Sequence, residues 1–125
     1  MRLYHYTSTT HLPLIDVAGE LRPTESNLSM ERAHAGPDVV WLTSEVEPDA
    51  QALALAGSSV DKTAVRITVE IPDDEAVPWI TWSRKRGIKP KWKRALERGR
   101  RPDVWFVVER PIPRSEWIAV EQGAS

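Results

Sequence analysis

Residues 64–72 read AVRITVEIP, and this stretch decides the class of fold. Val65, Ile67, Val69 and Ile71 alternate with Arg66, Thr68 and Glu70. A period of two over β-branched residues predicts a strand with one buried face. On its N-terminal side, Pro48 opens a helix that runs through Ala56 and stops at Gly57. Before that, PDVVWLTS (37–44) reads as another strand. On the C-terminal side, Pro78 begins a helix with Trp79 and Trp82 at i and i+3, ending at Gly87. Pro90 starts a second one, with Trp92, Ala95 and Leu96 as a narrow apolar stripe and Gly99 as its stop. VWFVVE (104–109) and EWIAVE (116–121) close the chain as strands. The two prolines of RPIPRS between them place an edge or a corner there.

The N-terminal third completes the pattern. RLYHY (2–6) alternates as a strand, with Leu3 and His5 on one side and Tyr4 and Tyr6 on the other. Thr7, Ser8, Thr9 and Thr10 can cap the short helix HLPLIDVAG, which puts Leu12 and Ile15 toward the core. Residues 22–38 are rich in Pro, Ser, Asn, Gly and charge and read as a long loop with one turn of helix around residues 30–33. Strands and helices mix without regular βαβ alternation. The expectation is one α+β domain over residues 1–125, with short flanking helices on a bent, mainly antiparallel, split sheet.

Composition narrows the function. The 125 residues include no cysteine, which excludes a disulfide framework, a thiolate metal site and a cysteine nucleophile. No run reaches the roughly 18 apolar residues of a membrane span, and MRLYHYTSTTH lacks the apolar core of a secretory leader, so a cytoplasmic location is expected. The net charge of −1 hides an asymmetry. Residues 84–101, RKRGIKPKWKRALERGRR, hold ten of the seventeen Lys and Arg and one acid, Glu97. The rest of the chain carries seven basic and seventeen acidic side chains, a balance of −10. Such a segment is either a solvated helix that balances charge or a local field for an anionic partner. Lys89, Lys91, Lys93 and Arg94 around Trp92 would suit a nucleic-acid backbone beside a stacking ring.

His5 beside Tyr6, Thr7 and Ser8 can bond a polar ligand such as a ribose, or can be a satisfied core histidine. Glu109 ends the apolar run 104–108, where a carboxylate needs a partner or a cleft. Arg110 can pair with it only if side-chain alternation breaks. The histidines lack regular ligand spacing, and no metal is expected.

The opening LYHYTSTTHLPLIDVAGELRPTES resembles the start of ADP-ribosyltransferase-fold proteins, in particular DarT-like DNA-targeting toxins and, more distantly, NAD-dependent RNA 2′-phosphotransferases. His5, Thr7, Leu12, Ile15, Gly19 and Leu21 carry the likeness. In the tail VVERPIPRSEWIAVE, Glu109 falls at the family's catalytic Glu, and Ile112, Pro113 and Ile118 match its apolar and proline steps. VVWLTS looks like the strand whose aromatic stacks near nicotinamide; Trp41 stands there in place of the more usual Tyr, with Thr43 and Ser44 following. The likeness covers roughly 45 residues in three blocks, and the chain is shorter than a typical DarT enzyme. It implies an ADP-ribosyltransferase-like fold and NAD as substrate. Glu109 and an Arg, best matched by Arg32 and next by Arg22, would be catalytic; His5, Tyr6, Thr7, Ser8, Trp41, Thr43 and Ser44 would hold NAD. Transfer of ADP-ribose, with nucleic acid as acceptor through residues 84–101, is the activity implied. The alternatives are a catalytically inactive nucleotide-binding or immunity module of the same fold, and an NAD hydrolase.

Overall fold

A computed structural model describes residues 1–23, 38–47 and 63–122. The helix expected over 48–56 and the turn around 30–33 lie outside the described residues. Within them the order is β1 (Arg2–Thr7), α1 (Leu12–Ala18), β2 (Glu20–Leu21), β3 (Val40–Thr43), β4 (Val65–Glu70), β5 (Val77–Pro78), α2 (Trp79–Lys85), α3 (Pro90–Glu97), β6 (Trp105–Val108), β7 (Ile112–Pro113) and β8 (Trp117–Gln122). The chain is an α+β domain with a mainly antiparallel sheet. Six strands pair in the order β5-β6-β3-β1-β4-β8, each antiparallel to its neighbours. β2 and β7 form a separate antiparallel ribbon.

β1 and β4 are interior strands, and their sequences show why. Val65, Ile67 and Val69 are wholly buried on one face of β4, and Thr68 is buried on the other. Opposed residues share a face, so Leu3, His5 and Thr7 lie with Val69, Ile67 and Val65. Tyr4 and Tyr6 lie on the other face with Thr68 and Arg66. The first face forms one core with Leu12 and Ile15 of α1 and with Leu21 and Ile112 of the ribbon. On the second side α2 and α3 cover the β3, β6 and β5 part of the sheet through a core of Val39, Trp79, Trp82, Ile88, Val104, Trp105 and Val107, with Trp41, Trp92 and Leu96 packed against it.

Local signals set the helix ends. Ser8 accepts the His11 N–H on its Oγ and the Leu12 N–H on its carbonyl, satisfying donors at the start of α1. Gly19 ends α1 at φ 69°, the left-handed conformation that costs a residue with a Cβ about 1–2 kcal/mol.

Three expectations need correction. Ala95 is exposed, so the apolar stripe of α3 is Trp92 and Leu96 alone. Val77 and Pro78 precede α2 as a strand, because an edge position tolerates proline's missing N–H. The 110–115 connection is more than a corner: Ile112 and Pro113 pair with Leu21 and Glu20.

Candidate functional site

His5 lies in the middle of the aliphatic face. Strand pairing sets Val120, Ile67, His5, Leu42 and Phe106 in one row across β8, β4, β1, β3 and β6. The His5 ring is half-buried, and Nδ1 lies 2.9 Å from the Trp41 carbonyl oxygen. A carbonyl only accepts, so Nδ1 carries the proton. Burial pushes the imidazole below its ordinary pKa of 6.5, which outweighs the opposing effect of that hydrogen bond. The neutral ring therefore presents Nε2 as an acceptor, and Nε2 has no hydrogen bond to a described residue. An acceptor on a half-exposed ring suits a ligand that offers a hydroxyl.

Trp41 and Glu109 belong to the other side. Trp41 lies 5.1 Å from Trp79 and 6.2 Å from Trp105, ring centre to ring centre, inside the aromatic core. Glu109 follows β6 and turns toward α2. Its Oε1 accepts the Trp82 Nε1–H at 2.6 Å, and both its oxygens accept from the Arg86 guanidinium. The Arg86 bonds, then the Trp82 bond, hold the carboxyl below the usual carboxylate range. The partner of Glu109 is thus Arg86, one helix away, while Arg110 pairs with Glu75 and Glu116. Strand register puts Glu109 two strands across and three residues along from His5, about 14 Å between Cα positions at ordinary sheet spacings. The sheet itself separates His5 from the Trp41 ring.

The remaining residues divide between structural bonds and open surface. Tyr6 donates its hydroxyl to the Glu45 and Val46 carbonyls, and burial raises its pKa. Thr7 is buried beside Val65. Ser8 is buried and bonded to His11 through Oγ and Nδ1 at 2.7 Å. Thr43 donates to the Val104 carbonyl and accepts from the Glu45 N–H, so it fixes the end of β3. Ser44 is exposed. Arg32 lies outside the described residues. Lys89, Lys91 and Arg94 are exposed, Lys93 is half-buried, and Lys91 Nζ sits 5.1 Å from the Trp92 ring centre. Trp92 packs inward against the aromatic core.

Phe106 is the residue that sequence reading missed. It is an aromatic on His5's own face, half-buried and two strands away in the same row; Trp117, opposite Val69, is another on that face. The alternation of WFVV already places Phe106 with Val108 and apart from Trp105, but the pairing that aligns it with His5 is not local. Among the described residues no group of His, Asp or Glu is placed to hold a metal ion, and no helix is long and apolar enough to cross a membrane. No protein-family model, curated protein or solved structure matches the chain.

Proposed function

We propose that the chain is a small nucleotide-binding protein of ADP-ribosyltransferase-like fold that takes NAD on the face of the sheet carrying His5. The observation that supports this is the fixed tautomer of His5: Nδ1 is spent on the Trp41 carbonyl, and Nε2 is left to accept from a hydroxyl such as that of a ribose. Phe106, in the same row, offers a flat ring for a base or the nicotinamide. Cleavage of the nicotinamide bond develops positive charge on the ribose, and a carboxylate beneath it stabilises that charge. Glu109 is the carboxylate that the resemblance assigns to this task. To serve it must leave Arg86, because a carboxylate spent on a guanidinium is not available to a second cation. Transfer of ADP-ribose is the first reading; it requires Glu109, which follows β6 on the opposite side of the sheet, to leave Arg86 and swing past the strand end to the His5 face when NAD and acceptor bind. The Arg86 pair specifically favours a second reading, a domain that binds NAD without turning it over.

Calorimetric titration with NAD, followed by assay of nicotinamide release with and without DNA, RNA and protein acceptors, tests both. Binding with release only in the presence of an acceptor supports transfer. Release without acceptor points to hydrolysis. Binding without release supports the second reading. No binding of NAD overturns the proposal.

A further inference from the structure

We infer that the outward face of α3 docks the phosphate backbone of a nucleic-acid duplex, at a surface separate from the His5 face. Lys91, Arg94 and Arg98 stand at i, i+3 and i+7, which confines them to about 60° of arc on a helix. All three are exposed, and none forms an ion pair with a described residue. They span about 10.5 Å at the rise of a helix. One strand of a duplex sets about three phosphates along that length of axis. Arg84 and Lys85, in the last turn of α2, and Lys89, at the start of α3, extend the charge; they are likewise exposed and form no ion pair with a described residue. Glu97, the one acid of this segment, keeps its charge but is held to the Trp79 Nε1–H at 2.6 Å, and Glu109, beyond the segment, pairs with Arg86. No acidic side chain lies within the stripe itself.

The same geometry discriminates among anionic partners. Trp92 and Leu96 turn inward against the aromatic core. The half-buried Trp92 ring at its border is covered by Lys91, whose Nζ lies 5.1 Å from the ring centre, so the outward face presents no open ring on which the bases of a single strand would stack, and no apolar row to enter a bilayer. Rigid helix spacing suits a rigid phosphate array. Because α2 and α3 cover the sheet face opposite His5, a duplex here is held as an anchor and not delivered to the nucleotide site. The inference stands whether or not the His5 face takes NAD.

The test is anisotropy of a labelled duplex of about 20 base pairs against the whole chain, titrated with salt, beside the variant Lys91→Glu, Arg94→Glu, Arg98→Glu. Three phosphate contacts predict an affinity loss of about 40-fold between about 50 and 200 mM salt, and the variant's log–log salt slope should be about 2.7 shallower. The three side chains are exposed, so the variant should keep the parent's circular dichroism and its NAD affinity. Arg2→Glu, outside this surface, should leave duplex affinity within about twofold. Absence of duplex binding, binding insensitive to salt, an unchanged slope in the folded variant, or tighter binding to a single strand or to anionic vesicles would each overturn the inference.

Discussion

The face of the sheet that carries His5 is lined by aliphatic side chains, Leu3, Leu42, Val65, Ile67 and Val69, whereas the opposite face packs Trp41, Trp105 and Val107 beneath Trp79 and Trp82. The difference lies in what each core demands of its polar neighbours. A buried indole brings an N–H that needs an acceptor. Glu97 serves Trp79 and Glu109 serves Trp82, so both carboxylates are accounted for by the packing of the helices. The His5 face carries one such indole at its edge, Trp117, and the Ile112 backbone carbonyl accepts its N–H at 3.1 Å, so no carboxylate is drawn in. His5 satisfies Nδ1 on the backbone, and among the described residues nothing in its core donates to the second ring nitrogen. A polar group that packing explains is weak evidence of function; one that packing leaves over is stronger. On the aromatic side Trp92 Nε1 is also left over, but it is buried and cannot meet a ligand, whereas the half-buried His5 ring can, so the candidate site falls on the His5 face.

The largest expected effect tests the aromatic face. Trp79 is fully buried and touches Trp41, Trp82 and Trp105, so Trp79→Ala should cost about 3–5 kcal/mol in urea unfolding. A loss below about 1 kcal/mol would show that this face is not a close-packed core. Glu109→Gln separates the two roles of that carboxylate. Its ion pair is well exposed, with 38% of the Glu109 and 44% of the Arg86 side chain accessible, so stability should change by about 1 kcal/mol or less. Nicotinamide release, if the parent shows it, should fall about 10²–10³-fold. Equal turnover in the two proteins would confine Glu109 to packing.

His5→Ala should weaken NAD binding by about 1–3 kcal/mol, read by calorimetry. Early melting with native affinity would instead make His5 a core residue. The smallest effect is a pH signature that differs between the faces. His5 is held below 6.5 by burial, so as pH falls through 6.5 the unfolded chain takes up its proton first, and stability declines from there. Glu109 and Glu116 are held below 4.5 by their arginines. Their contribution is present above 4.5 and is lost as pH falls below it. Melting temperature against pH should therefore decline in two stages; His5→Asn should erase the upper one, and Glu109→Gln should flatten the lower. A parent profile flat between pH 7 and 5, given those two reference values, would contradict the burial of His5.

Local patterns were legible wherever the cause is local. The alternation of 64–72 gave β4, Gly19 and Gly87 marked helix ends at positive φ, and Pro90 marked the first turn of α3. Leu12 and Ile15 reach the core as their spacing implied. Dipeptide strands such as Val77–Pro78 and Ile112–Pro113 are too short for any period and exist only because a partner strand lies beside them.

By itself the sequence determined the α+β class, the three described helices and most of the described strands, and the concentration of positive charge at 84–101, because propensity, periodicity and charge act between near neighbours in the chain. Only the tertiary structure decided which face each candidate occupies. Pairing Tyr4 with Thr43 and Val40 with Val108 put Phe106, and not Trp41, on the side of His5. Folding α2 over β6 gave Glu109 to Arg86 and Trp82. Adjacent residues on a strand point to opposite faces, so a shift of one position in a long-range register exchanges every side chain between them. No short-range pattern encodes that choice; it is made where distant strands meet.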